Sequence, residues 1–342
     1  MSKIFITGGT GCIGAATVFN LLTKFGDSIE QILIATRNSS TEQLEIWFAE
    51  SLAGWLDRKK IIFVAADLSD SQCLAQTLRD FQPTHVIHLG ALQSPACDAD
   101  PEQGLEVNLT GTLKLFNEAA QLKRPLDRFV FASSAAVYGK RLNYPAATIT
   151  EEAQLAPPNL YGVWKVGGEH LATLFHQKTG VPTVSLRLNT TYGPGRDQGT
   201  TSAVTRIMKS LILGALQGQT IPVLMPYEGR ENYHYVEDVG AHFAGACLMP
   251  FSGCRPFNIQ GKTIAVREFL ETIARVAGEL GIREFLQTGI SPTATPNLFI
   301  CDLDHSAIEL QFPGLPRTEI ADGIRKTLIR FQSLAPTGRV RV

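Results

Sequence analysis

Lys3-Ile4-Phe5-Ile6-Thr7-Gly8-Gly9-Thr10-Gly11-Cys12-Ile13-Gly14 joins a short apolar run to glycines at the spacing GxxGxxG and then to an apolar helical pattern. A strand before the turn and a helix after it make the glycines informative. Gly8 allows a tight turn, Gly11 lets a pyrophosphate reach the backbone, and Gly14 permits close helix–strand packing. The helix N-terminus, with unpaired N–H groups and the positive end of its dipole, then faces the phosphates. Thr10, Cys12 and Ile13 share the turn, so Gly8, Thr10, Gly11, Cys12, Ile13 and Gly14 are the expected dinucleotide contacts.

Similar apolar, β-branched runs recur at Gln31–Thr36, Ile61–Ala65, His85–Leu89, Arg128–Ala132 and Val181–Leu188. Helical spacing separates them at Cys12–Lys24, Ser71–Phe81, Glu102–Leu122 and Leu160–Thr179. Strands that alternate with helices and are apolar throughout predict an α/β fold, a doubly wound parallel sheet of Rossmann type covered on both faces. Beyond about residue 189 the alternation weakens, and a smaller C-terminal substrate-binding lobe with helices over Ala203–Leu216, Val266–Leu280 and Thr318–Leu334 is expected. The expected division is 1–188 for dinucleotide binding, with about 232–250 returning to it through the helix Val236–Leu248, and 189–231 with 251–342 for the substrate lobe.

Composition narrows the class. The 342 residues hold 31 Lys plus Arg against 32 Asp plus Glu, a formal charge of −1, with 44% hydrophobic residues. So even a balance offers no basic face for nucleic acid. No apolar run reaches the roughly 18 residues of a membrane span, so neither nucleic acid nor membrane is an expected partner. The first residues lack a secretory pattern, and the six cysteines are scattered without a CxxC pair. A cytoplasmic protein with reduced thiols and no metal site is the expectation.

The second strand ends Thr36-Arg37-Asn38-Ser39-Ser40, with no acid to accept from a ribose 2′-hydroxyl. Arg37, with the hydroxyls of Thr36, Ser39 and Ser40, suits a 2′-phosphate instead, so NADP is expected ahead of NAD. Asp67, in Ala66-Asp67-Leu68 after the third strand, is placed to accept from an adenine amino group. Tyr161 and Lys165 are four apart at the head of a predicted helix, hence on one face. A neighbouring ammonium is expected to lower the phenol's pKa and fit it for moving a carbinol proton. The fifth strand ends Ser133-Ser134-Ala135-Ala136, placing Ser134 at the crevice of the same sheet.

With these motifs, Asn108-Leu109-Thr110-Gly111-Thr112, Val137-Tyr138-Gly139, Arg187 before Tyr192-Gly193-Pro194 and Tyr235-Val236-Glu237-Asp238, the chain resembles the extended short-chain dehydrogenase/reductase family. These are NAD(P)-dependent sugar epimerases, dehydratases and dehydrogenases, and the resemblance spans nearly the whole chain. It implies Tyr161 as acid/base, Lys165 as the residue that tunes it and holds the nicotinamide ribose, Ser134 on the reacting oxygen, Asp67-Leu68 at the cofactor, and Asn108 as a cofactor contact that supports the site from the fourth helix.

Departures from the family narrow the chemistry. Members that eliminate water carry Asp and Glu after the catalytic Ser/Thr, and decarboxylating members a Glu two positions after it; Ala135 and Ala136 stand here. Methyl groups supply no second acid/base, which leaves hydride chemistry alone. Thr190 stands where nucleotide-sugar enzymes have Asn, and Glu231 where they place Arg near a diphosphate. Gln93, Thr190, Arg196 in Gly195-Arg196-Asp197-Gln198-Gly199-Thr200-Thr201, and His234 are, with Ser134, the expected substrate contacts. Epimerisation at a hydroxyl of a sugar, nucleotide sugar or sugar-like molecule is the first expectation. Net dehydrogenation or reduction of a sugar acid or amino alcohol is the second, and a non-catalytic dinucleotide-binding sensor or scaffold is the alternative of another class. Apolar spacing on Glu102–Leu122 and Leu160–Thr179, helices that relatives pair across a twofold axis, implies a homodimer.

Overall fold

Ile4, Phe5 and Ile6 are fully buried although neighbouring side chains on a strand point to opposite faces, so the first strand must be covered on both sides. The computed structural model, which describes residues 1–37, 40–49, 51–68, 70–196, 198–199 and 201–337, shows how. Its strands in chain order are β1 (Ser2–Thr7), β2 (Ile29–Thr36), β3 (Ile61–Ala65), β4 (His85–His88), β5 (Arg128–Ser134), β6 (Thr183–Leu188), β7 (Thr190–Tyr192), β8 (Val223–Glu228), β9 (Arg230–Tyr235), β10 (Cys254–Asn258), β11 (Lys262–Ala265) and β12 (Thr288–Pro296). Seven of them form one parallel sheet in the order β10-β6-β5-β4-β1-β2-β3. Chain order reverses between β1 and β4, which opens a crevice at their carboxyl ends.

Ile4 and Ile6 pack under helices Cys12–Phe25 and Val236–Leu248. Phe5 packs on the other face against Leu74, Leu115, Phe116 and Phe175, from helices Ser71–Phe81, Gly111–Ala119 and Leu160–Thr179. Each such side chain contributes about 1.5–3 kcal/mol by leaving water. A second apolar core joins helices Ala203–Gln217, Val266–Glu279 and Ile320–Leu334 around Tyr192, Tyr233 and Phe269. Among the described residues, no helix is long and apolar enough to cross a membrane.

The structure departs from the sequence reading in two places that matter for the site. Glu102–Leu122 is not one helix: Pro101–Leu105 runs into a π-turn at Glu106–Thr110 and then into Gly111–Ala119. The wider turn swings Asn108 inward, as single π-turns do where a side chain must be re-aimed. The seventh strand, β10, lies within 251–342, the span expected to belong wholly to the substrate lobe, yet it pairs with β6. Its sequence Cys-Arg-Pro-Phe-Asn hides a strand because Pro256 cannot donate to a ladder; the outer edge of the sheet tolerates it.

Candidate active site

A cleft of about 940 Å³ runs across the carboxyl ends of β1, β4 and β5, from Arg37 at one end to Tyr227 at the other. The glycine turn forms its floor. Gly8 has φ +71°, in the left-handed region, and its carbonyl accepts from the Gly11 N–H at 3.0 Å. A Cβ on Gly14 would lie 2.2 Å from the Gly8 oxygen and 2.6 Å from the Gly9 Cα, so only glycine lets the helix start this close to the strand. No side chain caps the helix Cys12–Phe25 at Gly11, and its first residues line the cleft. The turn therefore presents backbone donors and a dipole to an anion.

Thr10 and Thr36 share a hydroxyl hydrogen bond of 3.1 Å across the turn, while Arg37 is exposed at the cleft rim and Asp67 and Leu68 line its wall. Ser40 does not line the cleft; its Oγ accepts from the Glu42 N–H at the start of helix Glu42–Phe48. Ser39, Asp197 and Thr200, named above, lie outside the described residues.

The chemistry-bearing groups meet above β5. Asn159 Oδ1 accepts from the Gly162 N–H at 2.9 Å and starts the helix Leu160–Thr179. A Cβ on Gly162 would stand 2.2 Å from the Ala136 carbonyl, so this glycine lets the helix press on the loop after β5. Tyr161 is thereby brought beside Ser134, and both line the cleft. Lys165 Nζ sits 5.4 Å from the centre of the Tyr161 ring and donates to the Ala132 carbonyl at 2.7 Å. Burial pushes the Tyr161 phenol up to about 12, with Arg196 and Ser134 pulling it down. Burial likewise lowers Lys165 to about 8, against the pull of Glu169. The expected lowering of the phenol by the ammonium is thus corrected: Lys165 lies over the ring and is tied to a carbonyl, so desolvation dominates.

Gln93, Thr190 and Arg196, the expected substrate contacts, line the cleft, where Arg196 donates to Gln93 Oε1 at 3.3 Å and to Thr201 Oγ1 at 3.1 Å. Two expected contacts are corrected. Asn108 is buried outside the cleft lining; it accepts from the Leu92 N–H at 2.7 Å and donates to the Leu92 carbonyl at 2.8 Å, clamping the loop that carries Gln93. His234 also lies outside the lining, since both ring nitrogens are taken by the Asn189 N–H at 3.0 Å and the Gln260 carbonyl at 2.7 Å. Burial holds it neutral, at about 3. Among the further residues that line the cleft beyond the expected contacts are Tyr227, Glu231 and Asn297. Of these, only Glu231 stands out in the sequence.

The family model described as NAD dependent epimerase/dehydratase family matches residues 4–263. The chain is 27% identical over 353 residues to a dTDP-glucose 4,6-dehydratase of Escherichia coli, covering 95% of this chain and 92% of that protein. Among solved structures it is similar to the UDP-glucose 4-epimerase of Thermus thermophilus in complex with NAD, with a TM-score of 0.76, 26% identity, and 96% and 99% of the two chains covered. The UDP-glucose 4-epimerase of Thermotoga maritima shares the fold, at a TM-score of 0.77 and 20% identity over 97% and 99%.

Proposed function

The chain belongs to the NAD dependent epimerase/dehydratase family, enzymes of the extended short-chain dehydrogenase/reductase type, and from that premise we propose that it epimerises a secondary hydroxyl of a sugar or sugar-like molecule by transient hydride transfer. The observation that carries this reading is the meeting of Ser134, Tyr161 and Lys165 in one cleft with the glycine turn. The glycine cradle fits a nicotinamide dinucleotide, because the close packing at Gly14 sets the uncapped start of helix Cys12–Phe25 on the cleft floor, where its backbone N–H groups can meet a pyrophosphate. When bound, that cofactor supplies the hydride acceptor and donor. Tyr161 moves the carbinol proton, Ser134 holds the reacting oxygen, and Lys165 places positive charge beneath the Tyr161 ring. Ala136 lines the cleft with a methyl group where eliminating relatives carry an acid, which favours hydride return over loss of water. Net dehydrogenation is the second reading, favoured by the compact polar pairing of Arg196 with Gln93 and Thr201, which suits a small anionic substrate.

NADP is the cofactor this reading takes, because Arg37 stands at the rim beside Thr36. Titrating stripped protein with both oxidised cofactors should show tighter NADP binding, and Arg37→Ala should remove about 1.5 kcal/mol of that preference, the lower end for a charge-assisted bond because Arg37 is exposed. Equal or tighter NAD binding means that Arg37 does not read a 2′-phosphate. Failure to bind either dinucleotide sinks the enzymatic reading itself.

We infer that the enzyme is a homodimer. Leu105, Leu113, Leu160, Val163 and Leu174 are all exposed on or beside the helices Gly111–Ala119 and Leu160–Thr179, a surface that a second copy would cover. Sedimentation at micromolar concentration should give a dimer; a monomer throughout rejects it.

A further inference from the structure

The end of the cleft opposite the glycine turn is built around a carboxylate that, among the described residues, has no cation paired with it. Glu231, the second residue of β9, lines the cleft and is 4% exposed. Its carboxylate accepts from the Asn232 N–H and the Asn297 side-chain amide, both at 3.0 Å, and Thr190 lies beside it. Both donors are neutral. Among the described residues no Lys, Arg or His forms an ion pair with it; the adjacent Arg230 is exposed and turns to Asp302 at 3.5 Å. Burial holds the Glu231 carboxyl up at about 7, so ionisation there is incompletely supported by the protein. Tyr227 lines the same corner, and its buried hydroxyl has no hydrogen-bond partner.

The other end of the substrate space has the opposite sign. Lys165 lies under Tyr161, and Arg196 acts on the Tyr161 phenol. A substrate's positive group is therefore repelled from the reacting end and drawn to Glu231, whereas a diphosphate laid against Glu231 meets a buried like charge. Resting on the hydride-transfer reading above, we propose that Thr190, Tyr227, Glu231 and Asn297 form an ammonium subsite, so that the substrate is an amine-bearing polyol and not a nucleoside diphosphate sugar. The amine pairs with the Glu231 carboxylate, and the Tyr227 hydroxyl gains a partner from the same substrate.

A purely structural carboxylate would be served by glutamine, whose amide oxygen still accepts from Asn232 and Asn297. That makes Glu231→Gln the informative variant. Wild type and variant, saturated with oxidised cofactor, would be titrated calorimetrically with D-glucosamine, N-acetyl-D-glucosamine and UDP. Wild type should bind glucosamine at least about 10-fold more tightly than its N-acetyl form, with UDP the weakest, as expected for a charge-assisted contact. In Glu231→Gln the two sugars should fall to within about twofold while cofactor affinity is kept. The proposal is overturned if the amine gives no advantage in wild type, if the advantage survives in the variant, or if UDP binds best. Following epimer formation and net cofactor reduction in the same samples separates the two readings. An amine preference without hydride transfer counts against the enzymatic reading alone, and hydride transfer from a neutral sugar with no amine preference counts against the subsite alone.

Discussion

Tyr161→Phe should lower kcat by about 10²–10⁴-fold while cofactor binding stays near normal, because the variant loses only the hydroxyl that the proposed reaction uses to carry the proton. The pH profile should identify that hydroxyl. With burial holding the phenol at about 12, it is protonated at neutral pH and is ready to donate, not to accept. In the oxidative direction each unit of rise in pH below that value raises the deprotonated fraction about tenfold, so the rate should climb with pH. Lys165 titrates at about 8, and above that value the positive charge beneath the ring is lost, so the climb should bend there. Tyr161→Phe should abolish the slope together with the rate. Ordinary turnover in the variant, or an unchanged slope, would remove Tyr161 from the chemistry.

The largest stability effect is expected beneath the site. Arg187 on β6 and Glu169 on the helix Leu160–Thr179 form a two-pronged ion pair, with N···O distances of 2.8 and 2.7 Å and almost no exposure. Ser133 donates to the same carboxylate at 2.5 Å, and Arg187 donates to Tyr138 at 2.6 Å and to the Glu151 carbonyl at 3.0 Å. Tyr138 in turn donates to Asn258 on β10 at 2.8 Å, so the network crosses β5, β6 and β10. Glu169→Ala leaves the Arg187 charge buried without its counter-ion and should cost about 3–5 kcal/mol, a large part of a typical domain's stability. Replacing both partners, Glu169→Leu with Arg187→Met, should cost less than the single change because no charge is stranded. Urea unfolding measures both; a single variant within about 1 kcal/mol of wild type would show that the pair is not what holds these strands together. Since Glu169 also sustains the charge on Lys165, the single variant should move the alkaline bend to lower pH.

What could be read from sequence was local in the chain. Gly8 to Gly14 form one turn between a strand and a helix, and Tyr161 with Lys165 are one helical turn apart, so spacing alone brings each set together. The six strands from β1 to β6 were visible because burial on both faces makes their sequences apolar without a break. Groups whose partners lie far along the chain were not. Asn108 and His234 are polar residues beside the cleft, and only the π-turn and the Asn189 and Gln260 backbone reveal that their hydrogen bonds are used for support. Tyr227, Glu231 and Asn297 come from β8, β9 and the segment after β12, which no single periodic pattern connects. Pro256 masked β10 because edge position is a property of the assembled sheet.

The course of the backbone also governs what can be inherited or exchanged. After β6 the chain leaves the large sheet, contributes helix Ala203–Gln217 and β9 to the second core, and comes back as helix Val236–Leu248 and β10 before leaving again. A fragment ending at Leu188 would lack its outermost strand and the helix over Ile4 and Ile6, exposing apolar surface on a sheet edge that invites aggregation. The two cores are therefore not separable modules. Recombination with a relative could not graft a new substrate lobe as one cassette, so a change of specificity in such a chain is expected from point changes and loop alterations within an unbroken weave.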